Sequence, residues 1–223
     1  MTKLAEIQSK LAALAGERKA TLVAVSKTKP DEAILNLYQE GQRIFGENRV
    51  QELVGKEERL PKDIEWHMIG HLQRNKVKYI APFVSMIHAV DSPRLAEEIS
   101  KQAERHERRI PVLLQVHIAE ESAKFGFSHE ELRDWLSTQP LSALPGIKVH
   151  GLMGMATFTD NMDQVRREFQ SLSALFEELK SGAMSEADYF TEISMGMSGD
   201  WEIAVEEGAT MIRIGSLLFG ARN

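Results

Sequence analysis

The sequence contains no cysteine. Disulfide bonds, thiolate nucleophiles and sulfur-ligated metal sites are therefore excluded. A protein without disulfides is typical of a reducing compartment, so we expect it in the cytoplasm. No apolar run approaches the roughly 18 residues that a membrane span requires, and the first residues contain no apolar signal-peptide segment. The sequence thus predicts a cytoplasmic protein that does not cross a membrane.

Positive charge is also scarce. The 27 lysines and arginines are outnumbered by 33 acidic residues, which gives a net charge of −6. The basic residues are spread along the chain, whereas nucleic-acid-binding proteins gather them into a patch or stripe. No convincing metal-ligand spacing and no G-x-S-x-G nucleophile motif are present. These absences argue against a nucleic-acid partner and a bound metal, and they leave open a serine nucleophile whose partners are distant in sequence.

Short β-branched runs alternate with longer helical patterns along the chain. This alternation predicts parallel strands joined by crossover helices. An amphipathic stretch from Thr2 to Glu17 adds a helix before the first strand. At 223 residues the chain is long enough for one substantial core. We therefore expect an α/β fold, a single-domain TIM (β/α)8 barrel over residues 1–223 with an extra N-terminal helix. The eight predicted strands are residues 22–27, 43–47, 64–69, 86–90, 111–118, 148–155, 189–194 and 210–214.

Local helix signals support this register. Ser92 and Pro93 form an N-cap and first-turn pair, and the run from Ser128 to Glu131 is a capping box. The alternative architecture is a doubly wound open sheet, which favours a glycine-rich loop after its first strand. The sequence at that point is Ser26-Lys27-Thr28-Lys29-Pro30. The barrel is therefore the favoured prediction.

The first predicted strand ends in a lysine. Because strand side chains alternate, Val23, Val25 and Lys27 share one face. If that face points inward, Lys27 projects into the mouth of an apolar barrel, where burial disfavours the ammonium and frees the amine to condense with an aldehyde. The alternative is a surface lysine just past a strand. We expect Lys29, in the following turn, to be solvated.

Small residues dominate the loop after the seventh predicted strand. It reads Ser194-Met195-Gly196-Met197-Ser198-Gly199-Asp200 and leads into a helix whose first turn is expected near residues 199–202. Small residues let backbone N–H groups approach an anion, and the hydroxyls of Ser194 and Ser198 add donors. TIM barrels commonly bind phosphate with the loops after strands seven and eight. The loop is a candidate phosphate site, and the alternative is that Ser198 only caps the helix.

The last predicted strand carries an arginine between isoleucines. Alternation places Arg213 and Gly215 on one face and Ile212 and Ile214 on the other. A buried arginine without a partner is costly, so Arg213 is expected to meet a ligand or a buried acid. Gly215 lacks a Cβ and would allow a phosphate to approach the strand.

Two further strand ends carry polar residues. Asn48 follows the second predicted strand, and His67 lies in the third. Each is a weak signal by itself, because a histidine on a strand is more often a core residue with satisfied hydrogen bonds than a ligand.

Several motifs, taken together, resemble the pyridoxal-phosphate homeostasis protein family (YggS type) over essentially the whole chain. Small departures occur at His71 and Gly199, where the family often has other residues. The motifs are Ala24-Val25-Ser26-Lys27-Thr28-Lys29-Pro30, Phe45-Gly46-Glu47-Asn48 with Gln51-Glu52, the run from Trp66 to Lys76, the run from Ser194 to Asp200, and Arg213-Ile214-Gly215 with Phe219-Gly220-Ala221-Arg222.

This resemblance implies the barrel of the alanine racemase N-terminal domain and a bound cofactor, pyridoxal 5′-phosphate (PLP). It implies a Schiff base on Lys27, phosphate contacts from the 194–199 loop and Gly215, and a pyridine-nitrogen contact from Arg213. Lys124 matches a second lysine near the cofactor in some members. The cofactor-binding residues expected from the motifs are Lys27, Asn48, His67, Ser194, Met197, Ser198, Gly199, Arg213 and Gly215.

The family is thought to buffer or deliver PLP, with apo PLP-dependent enzymes as possible recipients. A racemase needs a second base and, in alanine racemases, a β-rich C-terminal domain, which we expect to be missing after Asn223. The tyrosines Tyr38, Tyr79 and Tyr189 are predicted away from the mouth. We therefore expect a monomeric PLP carrier with no catalytic residues. The alternatives are a PLP-dependent amino-acid racemase or related fold-type III enzyme, and a Schiff-base aldolase without PLP.

Overall fold

The computed structural model of the chain describes residues 1–120 and 125–220. Its eight strands form a closed barrel in chain order, each parallel to the next, and β1 pairs with β8 to complete the ring. The barrel prediction is therefore confirmed, and the open-sheet alternative is wrong. The strands are β1 (Thr21–Val25), β2 (Ile44–Glu47), β3 (Glu65–Met68), β4 (Met86–Val90), β5 (Ile110–His117), β6 (Ile147–Met155), β7 (Glu192–Ser194) and β8 (Met211–Ile214).

Helices join the strands and cover the outside of the barrel. The predicted N-terminal helix is confirmed as α1, which Thr2 caps by accepting a hydrogen bond from the Ala5 N–H and which packs against α8 and α9. The helices are α1 (Lys3–Ala15), α2 (Asp31–Gln39), α3 (Val50–Arg59), α4 (Val77–Ile80), α5 (Pro93–Glu104), α6 (His129–Thr138), α7 (Met162–Ser181), α8 (Trp201–Glu206) and α9 (Ser216–Phe219).

The helix starts agree with the sequence signals. Ser92 occupies the N-cap of α5 with Pro93 as the first helical residue, and the capping box of Ser128 and Glu131 opens α6 with both of its hydrogen bonds. No helix within residues 1–120 and 125–220 combines the length and the apolar character that a membrane crossing requires.

Side-chain alternation separates two apolar regions. On β1, Leu22 and Ala24 join the large core under the helices, whereas Val23 and Val25 pack inside the barrel with Ile69. On β8, Ile212 and Ile214 face the outer core, as predicted from period two. A second interior cluster consists of Met86, Ala89, Leu113, Met153 and Met211. The barrel is therefore filled with side chains, and chemistry is confined to its C-terminal end.

Two strands differ from the predicted bounds by two or more residues at one end, and the difference in β1 matters for the site. β1 ends at Val25, so Lys27 lies in a turn, closed by a hydrogen bond from the Lys29 N–H to the Ser26 carbonyl. Within this turn Thr28 has a φ of 64°, in the left-handed region. β7 begins at Glu192 instead of residue 189, because the preceding residues form a turn.

Candidate functional site at the C-terminal mouth of the barrel

The turn after β1 presents Lys27 at the mouth. Ser26 is buried, Lys27 is half-buried and Thr28 is exposed. Lys29 was predicted to be solvated, and this is wrong. Its Nζ donates to the carbonyls of Phe219 and Gly220, at 3.2 and 3.3 Å, and the side chain is half-buried. Lys29 thereby ties the β1 turn to the end of α9.

The loop after β7 is joined to the start of α9. The Ser198 Oγ accepts a hydrogen bond from the Gly215 N–H at 3.3 Å. Helix α8 begins at Trp201 with Asp200 in the N-cap position, so the alternative reading of Ser198 as a helix cap is wrong. The Met197 N–H donates to Asp200 Oδ1 at 2.5 Å. Burial raises the pKa of the Asp200 carboxyl, and the hydrogen bond from Met197 opposes that rise.

Several backbone donors of these two loops are not engaged by the described part of the chain. The N–H groups of Ser198, Gly199, Ser216 and Leu217 donate to no described residue. A Cβ built on Gly199 would meet nothing within 4 Å, so the space above the loop is open. Unengaged backbone N–H groups in two loops that are hydrogen-bonded to each other are an arrangement that suits an anion.

A chain of hydrogen bonds crosses the barrel interior beneath the mouth. His67 Nδ1 lies 2.9 Å from His88 Nε2, and His88 Nδ1 lies 2.9 Å from Ser194 Oγ. Arg213 Nη1 donates to the same Ser194 Oγ at 2.6 Å, and its Nη2 donates to the Gly154 carbonyl at 3.0 Å. The four side chains come from β3, β4, β7 and β8, and all four are buried.

Hydrogen-bond chemistry assigns the protons along this chain. Arginine has donors only, so Ser194 Oγ accepts from Arg213. His88 Nδ1 is the other partner of this hydroxyl among the described residues, so we assign the Ser194 hydrogen to the bond with His88 Nδ1. His88 then carries its proton on Nε2 and donates to His67 Nδ1. Burial lowers the pKa of His67 to about 3 and that of His88 well below its ordinary value. Both histidines are therefore neutral at physiological pH.

Arg213 remains a cation inside the barrel. Burial, opposed by the charge of Asp200, lowers its pKa to about 10, which still leaves it protonated at neutral pH. Its side chain is 4% exposed, and no carboxylate of the described residues lies within ion-pair distance. Two of its five N–H groups are used by Ser194 and Gly154, and the others remain for a further acceptor. A buried cation of this kind suits an anionic or acceptor-rich ligand.

The other predicted residues are placed at different depths. Asn48 follows β2 and is half-buried. Its backbone lies so close to Gly70 that a Cβ at position 70 would be 2.6 Å from the Asn48 carbonyl oxygen. His67 lies in the interior, separated from Arg213 by His88 and Ser194, so it supports the site from below. Lys124 lies outside the described residues, as do Ala221 and Arg222 of the C-terminal motif.

Sequence reasoning missed His88. It lies in β4, where pairing with β5 shifts register between Ile87 and Val90. A polar residue inside the short apolar run of residues 86–90 was the available signal. Its partner Ser194 is 106 residues away, so the contact could not be predicted from local pattern.

Comparison with known proteins adds four findings. The model of the alanine racemase N-terminal domain family matches residues 3–223. A pyridoxal phosphate homeostasis protein from Aquifex aeolicus is 43% identical over 211 residues, which cover 93% of this chain and 89% of that relative. The solved structure of PipY from Synechococcus elongatus with PLP bound has a TM-score of 0.86 and 37% identity and covers 98% of each chain. Alanine racemase from Bartonella henselae shares the fold at 14% identity, with a TM-score of 0.69 over 99% of this chain and 60% of its own.

Proposed function

The chain belongs to the alanine racemase N-terminal domain family and, within it, to the pyridoxal phosphate homeostasis proteins, and from this premise we propose that it holds PLP as a Schiff base on Lys27. Its role is to buffer or deliver this reactive aldehyde. The observation that carries the proposal is one mouth that combines a half-buried lysine, open backbone donors and a buried arginine cation.

Each group of the mouth suits one part of the cofactor. The Lys27 amine adds to the aldehyde carbon, the C=N bond forms, and the aldehyde oxygen leaves as water. The open N–H groups at Ser198, Gly199 and Ser216 suit the phosphate, with Gly215 allowing close approach. The Ser194 hydroxyl acts through Arg213, to which it is hydrogen-bonded. Met197 lies in the phosphate loop, while Asn48 and His67 support the pocket wall and floor.

Arg213 bears on the choice between carrier and enzyme. When bound, PLP supplies a conjugated pyridine ring that can withdraw electrons from a substrate carbon. The Arg213 cation would hold the ring nitrogen, where it would disfavour a second positive charge and keep the ring unprotonated. The pocket then favours holding the aldehyde over strong stabilisation of a carbanion.

The tyrosines support the carrier role over a racemase. Tyr38 lies in α2 with its hydroxyl donating to Asp63, and Tyr189 packs on His150 before the start of β7, at the end of the barrel opposite the mouth. Tyr79 lies exposed on α4. None of the three offers a second base opposite Lys27.

We also propose that residues 1–223 act as one domain, as a monomer in the cytoplasm, and that apo PLP-dependent enzymes receive the cofactor. The lack of cysteine supports the compartment. Light scattering of the protein as it elutes from a size-exclusion column measures its molar mass and so tests whether it is a monomer. Incubation of the holo-protein with an apo-enzyme, separated by a membrane that passes free PLP only, distinguishes delivery by contact from simple release.

Borohydride trapping tests the proposed function. The purified protein should be yellow, and reduction should leave a pyridoxyl group on Lys27, located by peptide mass spectrometry. Lys27→Ala should abolish the label, while the matched Lys29→Ala should keep it. A label on Lys29 or Lys124 in the wild-type protein, with Lys27 unmodified, would overturn the assignment. A colourless protein that traps only a carbonyl substrate would favour the aldolase.

A further inference from the structure

A buried cluster of charges lies directly behind the Lys27 turn. Lys56, on α3, is 3% exposed, and its Nζ donates to Glu47 Oε1 and to Glu52 Oε1, each at 2.7 Å. Glu47, at the end of β2, is fully buried. Two carboxylates therefore share one ammonium group in a place where charges are costly to bury.

The cluster grips the residues on both sides of Lys27. Ser26 Oγ donates to Glu47 Oε1 at 2.6 Å, and the Ser26 carbonyl accepts from Lys56 Nζ at 2.8 Å. On the other side, the Thr28 N–H donates to Glu52 Oε1 at 2.6 Å. Lys27 thus lies between two residues, Ser26 and Thr28, that are both hydrogen-bonded to the same charge cluster.

The turn needs an anchor of this kind. Thr28 is β-branched and has a φ of 64°, a conformation that such residues rarely adopt. Strained backbone of this type persists only where surrounding contacts determine it. The Glu52 carboxylate supplies the contact at the strained residue itself.

The cluster is a poor device for stability alone. A buried ion pair gains little over apolar residues of similar volume. Glu47 Oε2 has no hydrogen-bond partner among the described residues, and burial raises the pKa of this carboxyl. A costly buried charge network beside a reactive residue indicates that the network fixes the conformation of the turn.

We propose that Glu52, Lys56 and Glu47 are positioning residues that hold the 26–29 turn so that the Lys27 amine points into the mouth. They increase the rate at which PLP is captured, and they ensure that Lys27 is the lysine that captures it. The inference rests on the proposed function of Lys27. It adds three residues, none of which lies among those expected to touch the cofactor.

Glu52 offers the cleanest test, because its side chain is 22% exposed and its removal leaves the Lys56 and Glu47 pair in place. The matched control is Glu57→Ala on the same helix. Glu57 is 23% exposed and is paired with Lys62, away from the turn. Glu52→Gln keeps an oxygen that can accept the Thr28 N–H.

The capture rate constant is measured at saturating PLP from the rise in absorbance, and borohydride labelling gives the share of the label on each lysine.

Glu52→Ala should slow capture about ten-fold, the factor expected for losing one hydrogen bond to a charged group. Part of the label should move to Lys29. Half-saturation by PLP should change little, because the phosphate donors lie on the loops after β7 and β8. Glu52→Gln and Glu57→Ala should stay within about two-fold of the wild-type rate.

A second variant separates positioning from general stability. Thr28→Gly in the Glu52→Ala background removes the strain, since glycine adopts a positive φ readily. It should recover at least half of the lost rate, although it adds no stabilising contact. Equal rates and equal label distributions for Glu52→Ala and Glu57→Ala, with Lys27 labelled in the wild-type protein, would overturn the positioning role. Failure of the wild-type protein to label Lys27 would instead refute the proposed function.

Discussion

Burial keeps the two interior histidines in one protonation state. His67 and His88 are neutral because burial removes water from the imidazolium form, and the neighbouring Arg213 is a further reason for His88. Neutral imidazoles can each donate and accept one hydrogen bond, which the interior chain requires. Protonation of either would place a second cation near Arg213 and break the order of donors.

The buried histidines predict acid sensitivity. Their folded pKa values lie below the unfolded value, so the unfolded chain binds more protons as pH falls. The stability they allow is fully present above about pH 6.5 and is lost as pH falls toward the folded values. Between pH 6.5 and 5 each histidine should cost about 2 kcal/mol of unfolding free energy.

Urea denaturation at several pH values measures this loss. His88→Gln should flatten the dependence on pH in that window. His106→Gln, which removes an exposed histidine on the surface, serves as the matched control and should leave the slope as in the wild-type protein. An unchanged slope in His88→Gln would contradict the assignment.

At the scale of elements, short loops after β7 and β8 form one unit. The Ser198 and Gly215 hydrogen bond joins them, and both lead into helices of only six and four residues. A Cβ on Gly215 would lie 3.3 Å from the Val25 carbonyl oxygen, so a larger residue would press on β1. The two loops and the β1 turn are thus close neighbours at the mouth.

Phosphate binding by this pair of loops can be tested by substitution. Ser198→Ala removes the link to Gly215 and a hydroxyl donor, and should cost on the order of 1 to 2 kcal/mol of PLP affinity. Pyridoxal, which lacks the phosphate, should bind the wild-type protein far more weakly, and Ser198→Ala should change its affinity little. Spectroscopic titration with both aldehydes measures this.

The control for that titration is Ser181→Ala, at the end of α7, whose hydroxyl bonds the Glu177 carbonyl far from the mouth. It should bind both aldehydes like the wild-type protein. Equal affinities of the wild-type protein for PLP and pyridoxal would remove the phosphate site from these loops.

For the molecule as a whole, the arrangement around the mouth favours a carrier. Our proposal places Lys27 on one face of the cofactor, and none of the three tyrosines lies opposite it. Arg213, which is buried, is the charged group that we propose for the ring nitrogen. In the proposed arrangement the barrel supplies a lysine and an anion site, and none of its tyrosines supplies a second base.

Slow chemistry is the expected consequence. Holo-protein incubated with L-amino acids in deuterated water should show at most slow α-deuteration with retention, because Lys27 returns the proton to the face from which it came. NMR measures the exchange and a chiral column measures the D-enantiomer, with Lys27→Ala as the control. Racemisation or decarboxylation at about one turnover per second or faster, the lower end of typical enzyme rates, would refute the carrier role.

Local pattern was sufficient for much of the fold. The alternation of β-branched runs with amphipathic segments predicted the eight strands, because periodicity reflects which face of each element is buried. Period two also predicted that Val23 and Val25 share one face and that Arg213 lies on the face opposite Ile212 and Ile214, and in the barrel these faces point inward. Lys27, predicted on the same face as Val23 and Val25, lies beyond the end of β1. The capping box predicted the start of α6. The resemblance of the motifs indicated the family, while the residue-level roles in the site stay predictions.

The details of the site depend on contacts that barrel closure creates between distant segments. The turn that carries Lys27 is held by Glu52, which accepts the Thr28 N–H from 24 residues away. Ser198 bonds Gly215 instead of capping α8, and His88 meets Ser194 across the interior. None of these contacts has a period or a local spacing, since each depends on which strand ends are neighbours after the ring has closed. The residues alone therefore specify the barrel and which side chains share a face, and the folded barrel specifies which faces point inward and how the groups on them are held and paired.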